Sequence, residues 1–183
     1  MNTGVVAARY AKALLKYVNE AGAGSRVYAQ VSVLAGIMTE FPQFKAVIDN
    51  GEISFADRIG LFESALGEPV AEELASFLRL VMSRRRTDAF SRILYAFITR
   101  YRQENNIKSG RLVTAVPVDG LSRRLETLIH DKTGAQVQLV EKTDPSIIGG
   151  FVFEIDGYRL DASVERQLKR LRRQLVEKNN RIV

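Results

Sequence analysis

The chain has 183 residues, of which 46% are hydrophobic and 26% charged, and its formal net charge is +6; that is enough for one domain or two small ones around a buried core. It has no cysteine and a single histidine, which excludes disulfides, thiolate nucleophiles, cysteine metal sites and any histidine pair. No run approaches the roughly 18 apolar residues of a membrane span. The opening Met1-Asn2-Thr3-Gly4 lacks the basic-then-apolar pattern of a secretory signal, and no organellar leader is expected either.

Residues 1–106 predict helix after helix. Val6, Tyr10, Ala13, Leu14 and Tyr17 recur at three- and four-residue steps as one apolar stripe, and Gly22 and Gly24 close that helix. Val27, Val31, Leu34, Met38 and Phe41 form a second stripe, stopped by Pro42. A short third helix is expected around Phe44, Val47 and Ile48, followed by a turn at Asn50-Gly51. Ser54 is the expected N-cap of a fourth helix with Phe55, Ile59, Phe62 and Leu66 inward, ended by Gly67. Pro69 suits the first turn of a fifth helix (Val70, Leu74, Phe77, Val81). Asp88 is the expected cap of a sixth (Phe90, Leu94, Phe97, Tyr101), which fades at Asn105-Asn106.

The period then changes. Leu112 to Val116 reads as a strand, Leu121, Leu125, Leu128 and Ile129 as a helix, and Val137, Leu139 and Val140 as a second strand. Ile147 to Ile155 predicts a third strand with Gly149 and Gly150 inside it, where glycine signals a bulge or a close backbone approach. Asp156-Gly157 is a two-residue hairpin turn into Tyr158-Arg159-Leu160. Asp161 or Ser163 caps a last helix in which Val164, Leu168, Leu171 and Leu175 repeat at four-three-four spacing. The expected fold is therefore mainly α: an N-terminal six-helix bundle over residues 1–106, then a small α/β domain over 107–183.

The chemistry points to binding rather than catalysis. His130 reads as a surface or helix-end histidine, so a serine nucleophile would have only that one base. Gly22-Ala23-Gly24 lies between helices with no Gly-Lys-Ser/Thr, so it makes no phosphate loop. No catalytic residue, cofactor or metal site is expected. Arg84-Arg85-Arg86 falls at a helix end, where cations complement the helix dipole without any ligand. The last helix carries Arg166, Lys169, Arg170, Arg172 and Arg173 around its leucines; such a helix can bind nucleic acid, an anionic membrane or an acidic protein, or can be a solvated face.

One long motif is specific. Asp144-Pro145-Ser146-Ile147-Ile148-Gly149-Gly150-Phe151-Val152-Phe153-Glu154-Ile155, then Asp161-Ala162-Ser163-Val164 and Gln167-Leu168-Lys169-Arg170-Leu171, resembles the C-terminal motif of the δ subunit family of F-type ATP synthase, the oligomycin-sensitivity-conferring proteins. Arg9-Tyr10-Ala11-Lys12-Ala13-Leu14 is similar to the family's opening helix, and Phe77 to Arg86 and on to Phe97 resembles its fifth and sixth helices. The resemblance implies a non-catalytic stator subunit that joins α subunits of the catalytic head to peripheral stalk subunit b and so couples proton-driven rotation to ATP synthesis. It implies no nucleic-acid partner, and membrane association only through the complex, on the cytoplasmic face of a bacterial inner membrane. Carried over by position, Tyr10, Ala13, Leu14 and Leu80 are the candidates for a groove taking an α-subunit helix. Gly149, Gly150, Asp161 and Ser163 are carried over as a structural motif.

Overall fold

In the computed structural model, residues 3–50 and 53–179 are described; Gly51, half of the expected Asn50-Gly51 turn, lies outside them. The chain forms two compact units, Met1–Asn105 and Asn106–Val183.

The first unit contains α1 (Thr3–Glu20), α2 (Gly24–Glu40), α3 (Pro42–Asp49), α4 (Phe55–Leu66), α5 (Glu72–Ser83) and α6 (Phe90–Glu104). Its core follows the apolar periodicity. Ala7, Ala11, Leu14, Leu15 and Val18 of α1 are buried, as are Ile93, Leu94 and Phe97 of α6. The two alanines let α1 and α6 run close along each other. Ser54 caps α4 by accepting from the Asp57 N–H at 3.2 Å, and Gly67 ends it in the left-handed region at φ 72°.

Two expected caps fall elsewhere. α5 starts at Glu72 with Ala71 as its cap residue, so Pro69 stands in the linker and not in the first turn. The reason is a buried amide. The Gln30 Nε2 donates to Glu68 Oε1 at 2.7 Å and to the Pro69 carbonyl at 3.0 Å, while its Oε1 accepts from the Ala71 N–H at 2.9 Å. The linker is thereby tied to α2 in a non-helical path. Truncating this clamp leaves the Ala71 N–H without its acceptor, so Gln30→Ala is expected to cost about 2 kcal/mol, read as a lower urea midpoint with an unchanged slope. Asp88 does not cap α6: it lies in a 3-10 turn, Thr87–Ala89, and the cap residue is Ala89, which makes no side-chain cap bond.

The second unit contains β1 (Ile107–Thr114), α7 (Leu121–Thr133), β2 (Gln136–Thr143), β3 (Phe151–Ile155), β4 (Tyr158–Asp161) and α8 (Val164–Asn179). The sheet order is β2-β1-β3-β4, with β1 and β2 parallel and the other pairs antiparallel. The parallel pair requires a crossover, and α7 supplies it. β1 begins at Ile107, earlier than its apolar run at Leu112, because the polar stretch Lys108-Ser109-Gly110 also pairs. Gly110 sits where strands crowd: a Cβ there would lie 2.6 Å from the Glu154 carbonyl oxygen and 2.8 Å from Leu139 Cδ2.

Cross-strand partners share a face and alternate along each strand. Leu112 faces Phe153, Gly110 faces Ile155 and Leu139, and the series continues to Tyr158 and Leu160 on β4. This face of the sheet is apolar around Leu112, Leu139, Phe153 and Ile155, with Lys108 and Glu141 also on it. α7 packs against β2, where Glu126 Oε1 accepts from the Leu139 N–H at 2.9 Å. No residue of α7 is fully buried, and Tyr158, Leu160 and Leu128 are exposed.

Candidate protein-binding surfaces

The helix repeat of 3.6 residues turns each successive side chain by about 100°. On α1 this puts Val6, Tyr10, Ala13 and Tyr17 in one row, displaced from the core row of Ala7, Ala11, Leu14 and Val18. Val6 and Tyr10 are half-buried, while Ala13 and Tyr17 are exposed. Leu14 is only 1% exposed, because the step from Ala13 to Leu14 carries the side chain inward. Leu14 is therefore packed in the core of the chain without a partner, unlike Ala13 beside it. Tyr17, 43% exposed, is absent from the expected site although it continues the same four-three-four spacing.

The Tyr10 ring meets Phe77 of α5 edge-on, with centroids 6.3 Å apart at 71°. That contact makes α1 and α5 neighbours along this side of the bundle. On α5 the helical repeat brings Leu80 and Arg84 to the flank of Phe77, and Leu80 is 44% exposed. Tyr10 meets α5 through Phe77, while Ala13 and Tyr17 on α1 and Leu80 on α5 are exposed. Arg84, Arg85 and Arg86 close α5: the Arg84 N–H donates to the Leu80 carbonyl, that of Arg85 (φ 51°) to Met82, and that of Arg86 to Val81 at 3.0 Å. Their backbone role is helix termination, and the Arg84 and Arg85 side chains are left in solvent.

In the second unit the glycine pair lies before β3, not inside it. A 3-10 turn at Pro145–Ile147 is capped by Asp144, whose side chain accepts from the Ser146 N–H, and Ile148 follows at φ 67°. Gly149 and Gly150 then form the seat of α8. The Val164 N–H donates to the Gly149 carbonyl at 3.0 Å, and the Ala162 N–H to the Phe151 carbonyl at 2.9 Å. Gly150 has φ +72°, and a Cβ there would lie 2.3 Å from the Ala162 carbonyl oxygen. A side chain is thus excluded by both backbone conformation and space.

Asp161 and Ser163 complete this latch. Asp161 Oδ1 accepts from the Ser163 hydroxyl at 2.7 Å and from its N–H at 3.2 Å. Ser163 Oγ accepts from the Arg166 N–H at 3.2 Å, which is the N-cap bond of α8. The Ser163 side-chain hydrogen bond, then its backbone N–H and the cations of Arg166 and Arg159, outweigh desolvation and hold the Asp161 carboxyl below its ordinary value. A depressed folded value means that Asp161 stabilises the fold above the unfolded carboxylate's value, and that this contribution is lost as pH falls through the folded one. Asp161→Asn is therefore expected to flatten the acid limb of the stability profile in pH-dependent urea unfolding, with a smaller difference from wild type at the lowest pH.

Beyond this latch α8 stands apart. Its Leu168, Leu171 and Leu175 are exposed, Leu175 by 64%. Arg166, Lys169, Arg170 and Arg173 line the opposite side and flank a shallow depression. His130 is exposed, with Nδ1 3.2 Å from the Ala135 carbonyl oxygen. Among the described residues there is no group of three or more His, Asp or Glu side chains able to hold a metal ion, and no helix long and apolar enough to cross a membrane.

Residues 6–175 match the family model described as ATP synthase delta (OSCP) subunit. The chain is 39% identical to ATP synthase subunit delta of Phocaeicola vulgatus, with both chains fully covered. It is 38% identical to that of Bacteroides fragilis, again over both full lengths, and 29% identical to that of Lactobacillus johnsonii over 94% of this chain and 95% of that one. Among solved structures, a chain of the Toxoplasma gondii mitochondrial ATP synthase hexamer shares the fold, with a TM-score of 0.59 at 20% identity, covering 93% of this chain and 97% of that one. By sequence match over nearly its whole length, the chain belongs to the ATP synthase delta (OSCP) subunit family, whose members are non-catalytic subunits of F-type ATP synthase.

Proposed function

We propose that this chain is a stator link with two ends: the α1–α5 surface binds the N-terminal segment of an α subunit of the catalytic head, and the second unit binds the end of peripheral stalk subunit b. In this reading it holds the head against the torque of the rotor, so that proton-driven rotation is coupled to ATP synthesis. It works at the cytoplasmic face of a bacterial inner membrane and reaches that membrane only through the complex. The observation that carries the reading is that each unit exposes apolar side chains at helical spacing: Ala13 and Tyr17 on α1, beside the half-buried Tyr10, with Leu80 on α5, and Leu168, Leu171 and Leu175 on α8. Apolar rows exposed beside a complete core mark places where partners bind, and a row at helical spacing fits a partner helix.

The test is a pair of binding titrations on the full chain, one with a peptide of the α-subunit N-terminus and one with the C-terminal segment of subunit b. Each peptide is expected to bind alone, and each to bind undiminished when the other is saturating. Competition between the two peptides for one site, or failure of the α peptide to bind, would overturn the assignment.

A further inference from the structure

Beyond its first turn α8 is bare: from Arg166 to Val176 every residue is exposed. The helical repeat gathers Leu168, Leu171 and Leu175 on one face, each more than half exposed. The two borders of that face differ. At about 100° per residue, Arg172 stands on one border, with Lys169 farther back on the same side, while Gln167 and Gln174 stand on the other. Lys169 already has a partner, Glu165 at 2.5 Å, and Arg166 has Asp161 at 3.8 Å. Arg172 has none among the described residues. The residues three and four away from it are Leu168, Lys169, Leu175 and Val176, so no carboxylate of α8 stands beside it. Arg170 is in the same position, between Arg166, Gln167, Arg173 and Gln174. Among the described residues, the depression on the back of the helix is likewise lined without a carboxylate, by Arg166, Lys169, Arg170, Arg173 and Gln174. Like charges three and four apart repel, so this pattern works against the isolated helix.

We propose that the leucine face of α8 takes an acidic amphipathic helix, seated with its carboxylate-bearing edge over Arg172 and an uncharged edge over Gln167 and Gln174. The inference rests on the reading that the second unit binds the end of subunit b. It adds the face used, the sign of the partner's edge and the direction in which the partner runs. The leucines supply apolar contact, and Arg172 reads charge. A helix turned end for end exchanges its two edges, so a cation on one border only also fixes the partner's direction. A second copy of α8 is a poor occupant, because it would bring cations to cations. A nucleic acid would use the arginines and leave the leucines in water. The one-sided border suits a helix, which has two edges to tell apart, rather than a lipid surface, which has none.

The experiment is a titration of the full chain with the C-terminal segment of subunit b at low and high salt, for wild type, Arg172→Glu, Arg170→Glu and Leu171→Asp. The two arginine variants change the net charge equally on different sides of the helix. At low salt Arg172→Glu is expected to raise Kd about tenfold, and Arg170→Glu, which alters only the overall field, by about twofold or less. The difference is expected to close at about 1 M salt, where screening acts within a few ångströms. Changing the segment's edge carboxylates to lysine is expected to weaken binding to wild type and to restore binding to Arg172→Glu. If Arg172→Glu fails to fold, Arg172→Gln carries the test, with Kd raised about threefold. Equal effects of the two reversals, a stalk segment without carboxylates beside its apolar stripe, or tighter binding to phosphatidylglycerol vesicles than to the segment would overturn the proposal. Leu171→Asp keeps the two levels apart. If it abolishes binding while Arg172→Glu binds as wild type does, only the charge inference fails. If Leu171→Asp binds as wild type does, the stalk contact lies off α8 and the charge inference fails with it.

Discussion

Replacing Gly150 by alanine is expected to release α8 from the sheet and to lower the stability of the chain by about 3 kcal/mol or more. Two independent penalties meet at this residue. Its φ of +72° is a conformation that side chains rarely adopt, and the added Cβ would stand 2.3 Å from the Ala162 carbonyl oxygen. Left-handed backbone outside glycine costs about 1–3 kcal/mol, and forcing an extra methyl into a packed site costs a similar amount. The obstacle is backbone, so no side-chain rotation relieves it. Relief requires the segment 161–163 to move, which breaks the bond from the Val164 N–H to the Gly149 carbonyl and the one from the Ala162 N–H to the Phe151 carbonyl. Amide hydrogen exchange reads this directly: Ala162 and Val164 are expected to lose protection in Gly150→Ala, whereas Ala11 and Phe97 of the bundle keep theirs. Gly149 is the contrasting control. Its backbone is not left-handed, and a Cβ there would lie 3.0 Å from a Val164 side-chain methyl, which can rotate. Gly149→Ala is therefore expected to be milder than Gly150→Ala, and equal effects would contradict this account of the latch.

The division between helices and strands was legible because the apolar period changes from three-and-four to two after Asn106. The hairpin was legible because Asp156-Gly157, now seen at φ 47° and 80°, is a dipeptide that tolerates two left-handed residues in succession. What escaped the sequence is set by distant partners. The start of α5 depends on Gln30, about forty residues earlier, and no local pattern reports that amide. The first half of β1 is largely polar and held by pairing with β2, β3 joining only from Gly110, so period-two reading missed it. Gly149 and Gly150 stand among β-branched residues and read as strand, yet the left-handed Ile148 and Gly150 bend the chain before β3 begins. The leucines of α8 have the spacing of a core helix, and spacing alone does not say whether the core is the chain's own. Leu14 shares its stripe with Tyr10 and Ala13, and the family resemblance carries all three over together; the stripe itself divides between two faces, with Leu14 buried and Ala13 exposed.

That division gives the second large effect. Ala13→Asp is expected to weaken binding of the α-subunit N-terminal peptide by about 3 kcal/mol, more than a hundredfold in Kd, with the bundle intact. Ala13 is exposed in the free chain, so aspartate there meets water until a partner arrives. Its cost to the unbound helix is the propensity difference, under about 1 kcal/mol. When a helix covers the row, the carboxylate loses its water without gaining a donor, and the penalty falls wholly on the complex. Leu14→Ala is expected to behave the opposite way. Leu14 is 1% exposed, so its truncation leaves a cavity in the bundle and costs about 2–5 kcal/mol of folding stability, while peptide affinity at a temperature where the variant is folded changes little. Measuring urea unfolding and peptide affinity for both variants places each residue on one of two axes. A Leu14→Ala chain that folds as stably as wild type but no longer binds would return Leu14 to the surface and show that the bundle opens to admit its partner. An Ala13→Asp chain that binds as wild type does would move the head contact off α1 altogether.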